Sequence, residues 1–183
     1  AEREATGEFT SPRGELVITA PVLFGHLCVL PVVSEFLALF PDINVRLLQG
    51  DRYADLVEDN IDMAVRFGAL ADSAMIATAI GVMRYVVCAS PALLSRHGAP
   101  QAPEDLLGLP CVSTDGPMLA PAWRFRHPGG GAIDVPVVPR LRVSAAISAV
   151  EAAMSGVGFV RLLHYQAAEG LAQGPGLMVF VSL

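Results

Sequence analysis

The 183-residue sequence contains no lysine, so its basic residues are all arginine. Eighteen acidic residues outnumber twelve basic ones, which gives a formal net charge of −6. A free-standing nucleic-acid-binding domain needs concentrated positive charge, and no basic patch or stripe is visible along this chain. We therefore expect that any control of DNA is exerted through a part outside this sequence.

Cysteine is scarce too, with Cys28, Cys88 and Cys111 as the only three. Their spacing matches neither a metal site nor a disulfide framework. Because their neighbours are apolar, we expect buried free thiols in a reducing compartment. The polar N-terminus has no signal-peptide core, and no uninterrupted apolar run reaches the roughly 18 residues that span a bilayer. We expect no membrane partner.

Patterns for catalysis and metal binding are also missing. The four histidines are scattered, so none forms a metal pair on a helical turn or stands at motif spacing from a nucleophile. No two carboxylates stand out as an acid and a base. We expect no metal, no cofactor and no catalytic residue. A small enzyme is kept as a third hypothesis, which paired titratable groups in a cleft would support.

An apolar fraction of 53% is enough for one large domain or for two small lobes. Strands are predicted at Leu16–Ala20, Ile43–Leu48 and Met63–Val65. A helix from Gly25 or His26 to Phe40, bent near Pro31, and a short helix after Asp51 separate them. This alternation favours a parallel sheet with right-handed crossovers.

The second half predicts a longer series of short elements. The predicted strands are Met75–Ile80, Tyr85–Ala89, Cys111–Ser113, Leu141–Val143, Val157–Arg161 and Leu177–Val181, and a hairpin is predicted from Trp123–Arg126 and Ala132–Val138. The predicted helices are Pro91–Arg96, Pro103–Leu107, Ala145–Ser155 and Tyr165–Ala172. Ser90 is expected to cap the first of these helices and Ser144 the third, which we expect to be buried on nearly all sides.

Arg66 is the candidate ligand anchor. It follows a short apolar strand, and the carboxyl ends of strands are where open α/β sheets bind ligands. A guanidinium there can hold a carboxylate or a similar anion. The alternative, at about even odds, is a salt bridge from Arg66 to Asp62, Asp72 or Glu58.

Several segments together carry a resemblance to a known family. They are GELVITAPVLFG at Gly14–Gly25, FLALFPDINV at Phe36–Val45, DMAVRFG at Asp62–Gly68, VVCASPALLSRHG at Val86–Gly98, WRFRHPGG at Trp123–Gly130 and SGVGFVRL at Ser155–Leu162. In order and spacing, the chain from Arg13 onward resembles the effector-binding domain of LysR-type transcriptional regulators.

The resemblance implies an α/β fold with two Rossmann-like lobes, of the type 2 periplasmic-binding-protein-like kind, joined by two crossover strands at Val86–Ala89 and Gly158–Arg161. Residues 1–12 would be a linker or an expression remnant. Lobe I would comprise residues 13–85 and 162–183, and lobe II residues 86–161. The family's chain normally continues into a further strand and helix, so we expect lobe I to be truncated at its C-terminal end.

The resemblance also implies an effector site between the lobes and a dimer surface. The implied effector contacts are Ala20, Pro21, Val22, Arg66, Phe67, Ser113, Thr114, Ser144 and Ala145. The implied dimer surface includes Leu27, Leu30, Ser34, Leu37, Val45 and Leu47. Many relatives have a hydroxyl residue at the position of Val22 or Leu23, so one hydrogen-bond donor is missing here.

The function that the resemblance implies is that of an effector-sensing and oligomerisation domain in a cytoplasmic homo-oligomer. It would bind a small anionic or aromatic metabolite and control DNA through a winged helix-turn-helix outside this sequence. The alternative is a periplasmic solute-binding protein of a transporter, which has the same two-lobe plan but requires export.

Overall fold

The computed structural model describes residues 12–51, 60–68, 76–114, 122–126, 129–172 and 176–182. The chain divides into two compact units, residues 1–68 and 69–183. Each unit contains strands and helices, as predicted for an α/β protein. The lobe boundaries given above, which place residues 162–183 with the first lobe, stay a prediction.

The first unit contains a three-stranded parallel sheet. Its strands are β1 (Gly14–Ala20), β2 (Ile43–Gln49) and β3 (Met63–Ala64), in the order β2-β1-β3. The central strand β1 lies between β2 and β3, and its last four residues are buried. The three strands predicted here are confirmed. The helix predicted after Asp51 lies outside the described residues.

A continuous helix, α1 (Val22–Leu39), connects β1 to β2. It begins three or four residues before the predicted start at Gly25 or His26. Its turn Gly25–Val29 is a π-helix in which the Leu30 amide donates to the carbonyl of Gly25. Pro31 follows this turn. Its ring would clash with the carbonyl four residues earlier, which explains why the helix widens here. The bend predicted near Pro31 therefore takes the form of a widened turn.

Helix α1 buries very little of its apolar surface within the described structure. Only Gly25 and Val33 are buried, whereas Leu39 is 74% exposed. Cys28 is also exposed, so the prediction that all three cysteines are buried is wrong for this one. By length and composition alone, α1 could cross a membrane. The search for uninterrupted apolar runs did not find this helix, because polar residues such as Ser34 and Glu35 interrupt its apolar sequence. One such helix is weak evidence, because helices of soluble proteins pass the same test.

The second unit is built on a five-stranded mixed sheet and a separate hairpin. The sheet has the order β10-β4-β9-β5-β8, with β4 and β9 antiparallel and β9, β5 and β8 parallel. The strands are β4 (Tyr85–Ala89), β5 (Cys111–Thr114), β6 (Ala122–Arg126), β7 (Ala132–Pro136), β8 (Pro139–Val143), β9 (Phe159–Leu163) and β10 (Met178–Ser182), where β6 and β7 form the hairpin.

The helices of this unit cover both faces of the sheet. They are α2 (Pro91–His97), a 3₁₀ turn (Pro103–Leu106), α3 (Ala146–Met154) and α4 (His164–Ala172). Val86 and Cys88 of β4 pack in a core with α3 and α4, while Val87 and Ala89 pack in a second core with the hairpin. Alternate residues of a strand point to opposite faces, so one apolar strand serves both cores.

The ends of two helices show how local sequence sets their bounds. Ser90 caps α2 as predicted, because its hydroxyl accepts the Leu93 amide at 3.3 Å. Helix α3 ends in a Schellman motif, in which the Gly156 amide donates to the carbonyl of Ala153 and the Val157 amide donates to that of Ala152. Gly156 has φ = 75°, a conformation that favours glycine.

Three predictions for the second unit are wrong. Residues 76–84 form no strand, and Ile76 is 98% exposed, because no described strand pairs with this β-prone segment. Ser144 does not cap α3; Ala145 holds the extended N-cap conformation instead and leaves Ser144 one residue outside. Helix α3 is not buried on nearly all sides, since Ile147 is 52% exposed.

Candidate functional site

In the first unit, the predicted effector residues gather at the carboxyl ends of neighbouring parallel strands. Ala20, Pro21 and Val22 lead from β1 into α1, while Arg66 and Phe67 follow β3. Ala20 is fully buried, so its side chain is closed to a ligand. Val22 is exposed, and Pro21, Arg66 and Phe67 are half-buried.

Among the interactions that the structure describes, two hydrogen bonds hold Arg66 against the sheet. Its guanidinium donates to the carbonyl of Val65 at 3.2 Å and to the hydroxyl of the buried Thr19 at 3.3 Å. Asp62, one proposed salt-bridge partner, accepts the amide of Val17 instead. The other two proposed partners, Glu58 and Asp72, lie outside the described residues. The contacts fix Arg66 at the strand end where a ligand anchor was predicted.

The start of α1 is occupied by a side chain that sequence reasoning did not single out. The Asp51 carboxylate accepts the Val22 amide at 3.0 Å. Asp51 follows β2, and 29 residues separate it from Val22 along the chain. No spacing rule connects two residues so far apart, so only the pairing of β1 with β2 brings them together.

In the second unit, the predicted residues again share one sheet edge. Ser113 and Thr114 end β5, and Ser144 and Ala145 follow β8, which is the parallel neighbour of β5. Ser144 and Thr114 are exposed, and Ser113 and Ala145 are half-buried. Two pairs of residues from distant parts of the chain therefore lie at adjacent strand ends.

Arg161 is a second side chain that the sequence reasoning missed. Its guanidinium carbon lies 3.6 Å from the centre of the Tyr85 ring and 5.5 Å from that of Phe125, and it donates to the Arg124 carbonyl at 2.7 Å. Its Nε is buried without a hydrogen-bond partner. Burial lowers the pKa of Arg161, which nearby Tyr85 partly opposes. The sequence did contain a sign of this contact, since Arg161 is a charged residue within the otherwise apolar strand FVRLL.

The cysteines and the possible metal ligands of the described residues give neither sheet edge a reactive thiol or a metal site. Burial raises the pKa of Cys88 to about 12 and that of Cys111 to about 11, so both thiols are inert at neutral pH. Within the described residues, no group of three or more histidine, cysteine, aspartate or glutamate side chains could hold a metal ion.

The residues implied in dimerisation lie on helix α1 and on strand β2 of the first unit. Leu27 and Leu30 of α1 are exposed, and the Ser34 hydroxyl is satisfied internally by donating to the Leu30 carbonyl at 2.9 Å. Leu37, Val45 and Leu47 are half-buried. Strand β2 pairs only with β1 among the described strands and forms the edge of its sheet. Apolar side chains and a sheet edge are thus exposed together.

Polar side chains at the carboxyl ends of parallel strands are typical of α/β domains that bind small ligands. The family model of the LysR substrate binding domain matches residues 10–179. The chain belongs to this family, and it is the effector-binding domain of a LysR-type regulator. The resemblance inferred from the sequence is confirmed.

Curated relatives agree with this assignment. LtrA of Klebsiella pneumoniae, a probable HTH-type transcriptional regulator, is 28% identical over 165 residues, which cover 90% of this chain and 53% of the relative. The HTH-type transcriptional regulator CrgA of Neisseria meningitidis serogroup B is 28% identical over 174 residues, covering 95% and 58%. The chain thus spans about half the length of these relatives.

Solved structures show the same fold. CrgA, described as a LysR-type transcriptional regulator from Neisseria meningitidis, matches with a TM-score of 0.74 at 27% identity, covering 92% of this chain and 56% of that one. Full-length AphB of Vibrio cholerae matches at 0.78 and 23% identity, covering 93% and 58%, which shows the fold alone. The predicted type 2 periplasmic-binding-protein-like fold is confirmed, and the relatives favour a regulator over a transporter's solute-binding protein.

Proposed function

We propose that this domain senses a small-molecule effector within a cytoplasmic, homo-oligomeric transcriptional regulator. The observation that carries the proposal is the gathering of polar groups at the carboxyl edges of both sheets, in a chain that belongs to an effector-binding family. DNA would be bound by a helix-turn-helix domain outside this sequence, as the names of the curated relatives suggest. The proposal assigns no catalytic step to this domain.

Each unit by itself would offer its own groups to an effector. Arg66 would supply charge-assisted hydrogen bonds, for which its planar guanidinium is suited by five N–H donors. Phe67, whose ring meets that of Phe24 edge-to-face at 5.0 Å, would offer apolar surface to an aromatic ligand. Ser113, Thr114 and Ser144 would contribute hydroxyl groups. An effector that prefers one arrangement of the domain would shift its population, which is how binding would reach the DNA.

The site is tested by screening metabolites for thermal stabilisation and then measuring affinity by calorimetry. Arg66→Ala and Ser144→Ala should each weaken binding of a true effector, by about tenfold for loss of one charge-assisted hydrogen bond. Arg126→Ala and Ser95→Ala remove an exposed arginine and an exposed serine elsewhere, and should leave the affinity unchanged. Equal affinity in all four variants would disprove the site.

The exposed face of α1 and the edge strand β2 would form the surface that binds a second copy. Leu39, Leu27 and Leu30 present apolar area that the first unit itself leaves uncovered. Burying such area is favourable by about 25 cal/mol per Å², so a surface of this kind drives association. A second copy is preferred over a lipid bilayer because α1 carries Glu35 and packs against its own sheet.

That packing is close at one glycine. A Cβ on Gly25 would lie 3.1 Å from the side chain of Gln49 and 3.3 Å from that of Ala20. A helix seated so closely on a sheet is part of a folded unit.

Sedimentation velocity at several concentrations tests this surface. Leu30→Glu places a charge on the exposed face and should shift the chain towards monomer. Ile147→Glu, at an apolar residue of α3 that is 52% exposed against 41% for Leu30, should leave the sedimentation coefficient unchanged. A wild-type chain that stays monomeric at high concentration would refute the dimer surface, and binding to phosphatidylcholine vesicles would favour a membrane role instead.

A further inference from the structure

The starting observation is the hydrogen bond that closes the beginning of α1. The first helical amide, that of Val22, donates to Asp51 Oδ1 at 3.0 Å. An amide at a helix N-terminus attracts negative charge, because the helix dipole and unpaired N–H groups point there. In this protein the negative charge is supplied by the chain itself.

The position of Asp51 follows from the register of the first sheet. Ala20 of β1 pairs with Gln49 of β2, and the Gly50 amide donates to the Ala20 carbonyl at 3.0 Å. The ladder thus continues to the residue just before Asp51. Its carboxylate is carried to the helix start by the same strands that form the sheet edge.

Asp51 is exposed, and its only described hydrogen bond is the one made by Oδ1. A carboxylate only accepts hydrogen bonds, so the charged side chain of Asp51 has further acceptor capacity beside Val22. A ligand carboxylate at this point would compete with Asp51 for the amide and would be repelled by its charge. A ligand hydroxyl, amide N–H or ammonium would instead be attracted.

We propose that Asp51 is a specificity-determining residue of the effector site, selecting a hydrogen-bond donor and excluding an anion at the start of α1. The proposal rests on the proposed function and refines it. A negatively charged group of the effector is directed away from Val22, and the group that meets α1 is a neutral or cationic donor.

The test compares benzamide with benzoate, which have the same shape but differ in charge and in the donor they carry. Each is titrated into the ¹⁵N-labelled 183-residue chain, and the dissociation constant is read from the shift of the Val22 amide resonance. Because Arg66 at the same sheet edge favours an anion, the quantity compared between variants is the ratio of the two dissociation constants. The charge of Asp51 should weaken benzoate relative to benzamide by about five- to tenfold, the effect of one like charge at contact distance in water.

Asp51→Asn is the decisive variant, because its side-chain oxygen still caps the Val22 amide while the charge is gone. It should strengthen benzoate relative to benzamide by about five- to tenfold over wild type. Asp42→Asn removes the same charge at the opposite end of β2 and should leave both constants at wild-type values. A role of Asp51 in helix capping alone would leave the ligand preference unchanged in Asp51→Asn, and that result would overturn the proposal.

Absence of any Val22 shift with either probe at tens of millimolar would overturn it as well. The outcome for Arg66→Ala separates the two ideas. Arg66→Ala could leave the effector affinity intact while Asp51→Asn still changes the ratio of the benzoate and benzamide constants read at Val22. The assignment of Arg66 to the site would then be wrong, and the role of Asp51 would stand. If Arg66→Ala weakens effector binding but Asp51→Asn leaves the ratio of the benzoate and benzamide constants unchanged, the proposed site stands and the role of Asp51 is refuted.

Discussion

Replacement of Arg161 tests whether a charge inside the second unit stabilises it or is merely tolerated. The guanidinium stacks on Tyr85, touches the edge of the hairpin through the Arg124 carbonyl, and leaves its Nε buried without a partner. We predict that Arg161→Met leaves the free energy of unfolding within about 1 kcal/mol of wild type, whereas Arg161→Ala lowers it by about 2 kcal/mol more.

The magnitude comes from opposing contributions. The stacking on Tyr85, which is 43% exposed, is worth about 0.5–1 kcal/mol, and the exposed hydrogen bond to Arg124 about 1 kcal/mol. The unsatisfied Nε costs about 1–3 kcal/mol, which cancels most of that gain. Methionine keeps an apolar stem against the two rings, whereas alanine loses two or three methylene groups at about 0.8 kcal/mol each.

Urea unfolding followed by tryptophan fluorescence measures this directly, because Trp123 is the only tryptophan and lies in the hairpin core of the same unit. Arg126→Met, an exposed arginine of β6, serves as the control and should change stability by less than about 0.5 kcal/mol. If the methionine variant is as unstable as the alanine variant, the charge itself is stabilising and the reasoning is refuted.

Three further predictions concern single side chains. Ellman's reagent should modify Cys28 rapidly in the folded chain, whereas Cys88 and Cys111 should react only on unfolding; fast reaction of two or three thiols would contradict their burial. The amides of Gln101 and Ala102 hold the pKa of Asp105 below its ordinary value of 3.8, so its stabilising contribution is present above that pH and is lost as the pH falls through the lowered pKa. Asp105→Asn should therefore flatten the acid limb of stability in urea titrations, and an unchanged limb would argue against this. Gly156→Ala should cost about 1–2 kcal/mol in urea unfolding, because alanine is strained at φ = 75°; an unaffected midpoint would contradict the need for glycine.

Local chemistry explains which elements could be predicted from the sequence. The bounds of β4 were predicted at both ends, because an uninterrupted apolar run meets a helix-capping serine followed by proline. Strands β1 and β2 were equally visible, since they are rich in apolar and β-branched residues and turn signals bound them. The position of Arg66 after β3 followed from the same pattern.

Other features depend on partners that no local pattern specifies. The segment after Met75 has the composition of a strand, but a strand exists only where another strand pairs with it. Ser144 is a good capping residue by type, yet Ala145 occupies that position because the bounds of β8 and α3 fix where the backbone turns. The exposure of Cys28 reflects an outward face of α1 that only the placement of the helix on its sheet reveals.

The sequence by itself determined the α/β class, the family, most strands and helices, and the residues that end strands at the two edges, because these depend on short-range periodicity, capping and turn chemistry. Only the tertiary structure decided that Asp51 meets Val22, and that Arg161 stacks on Tyr85 beside an unsatisfied nitrogen. Both contacts join residues far apart in the chain, and their geometry is set by the register of neighbouring strands rather than by any local preference.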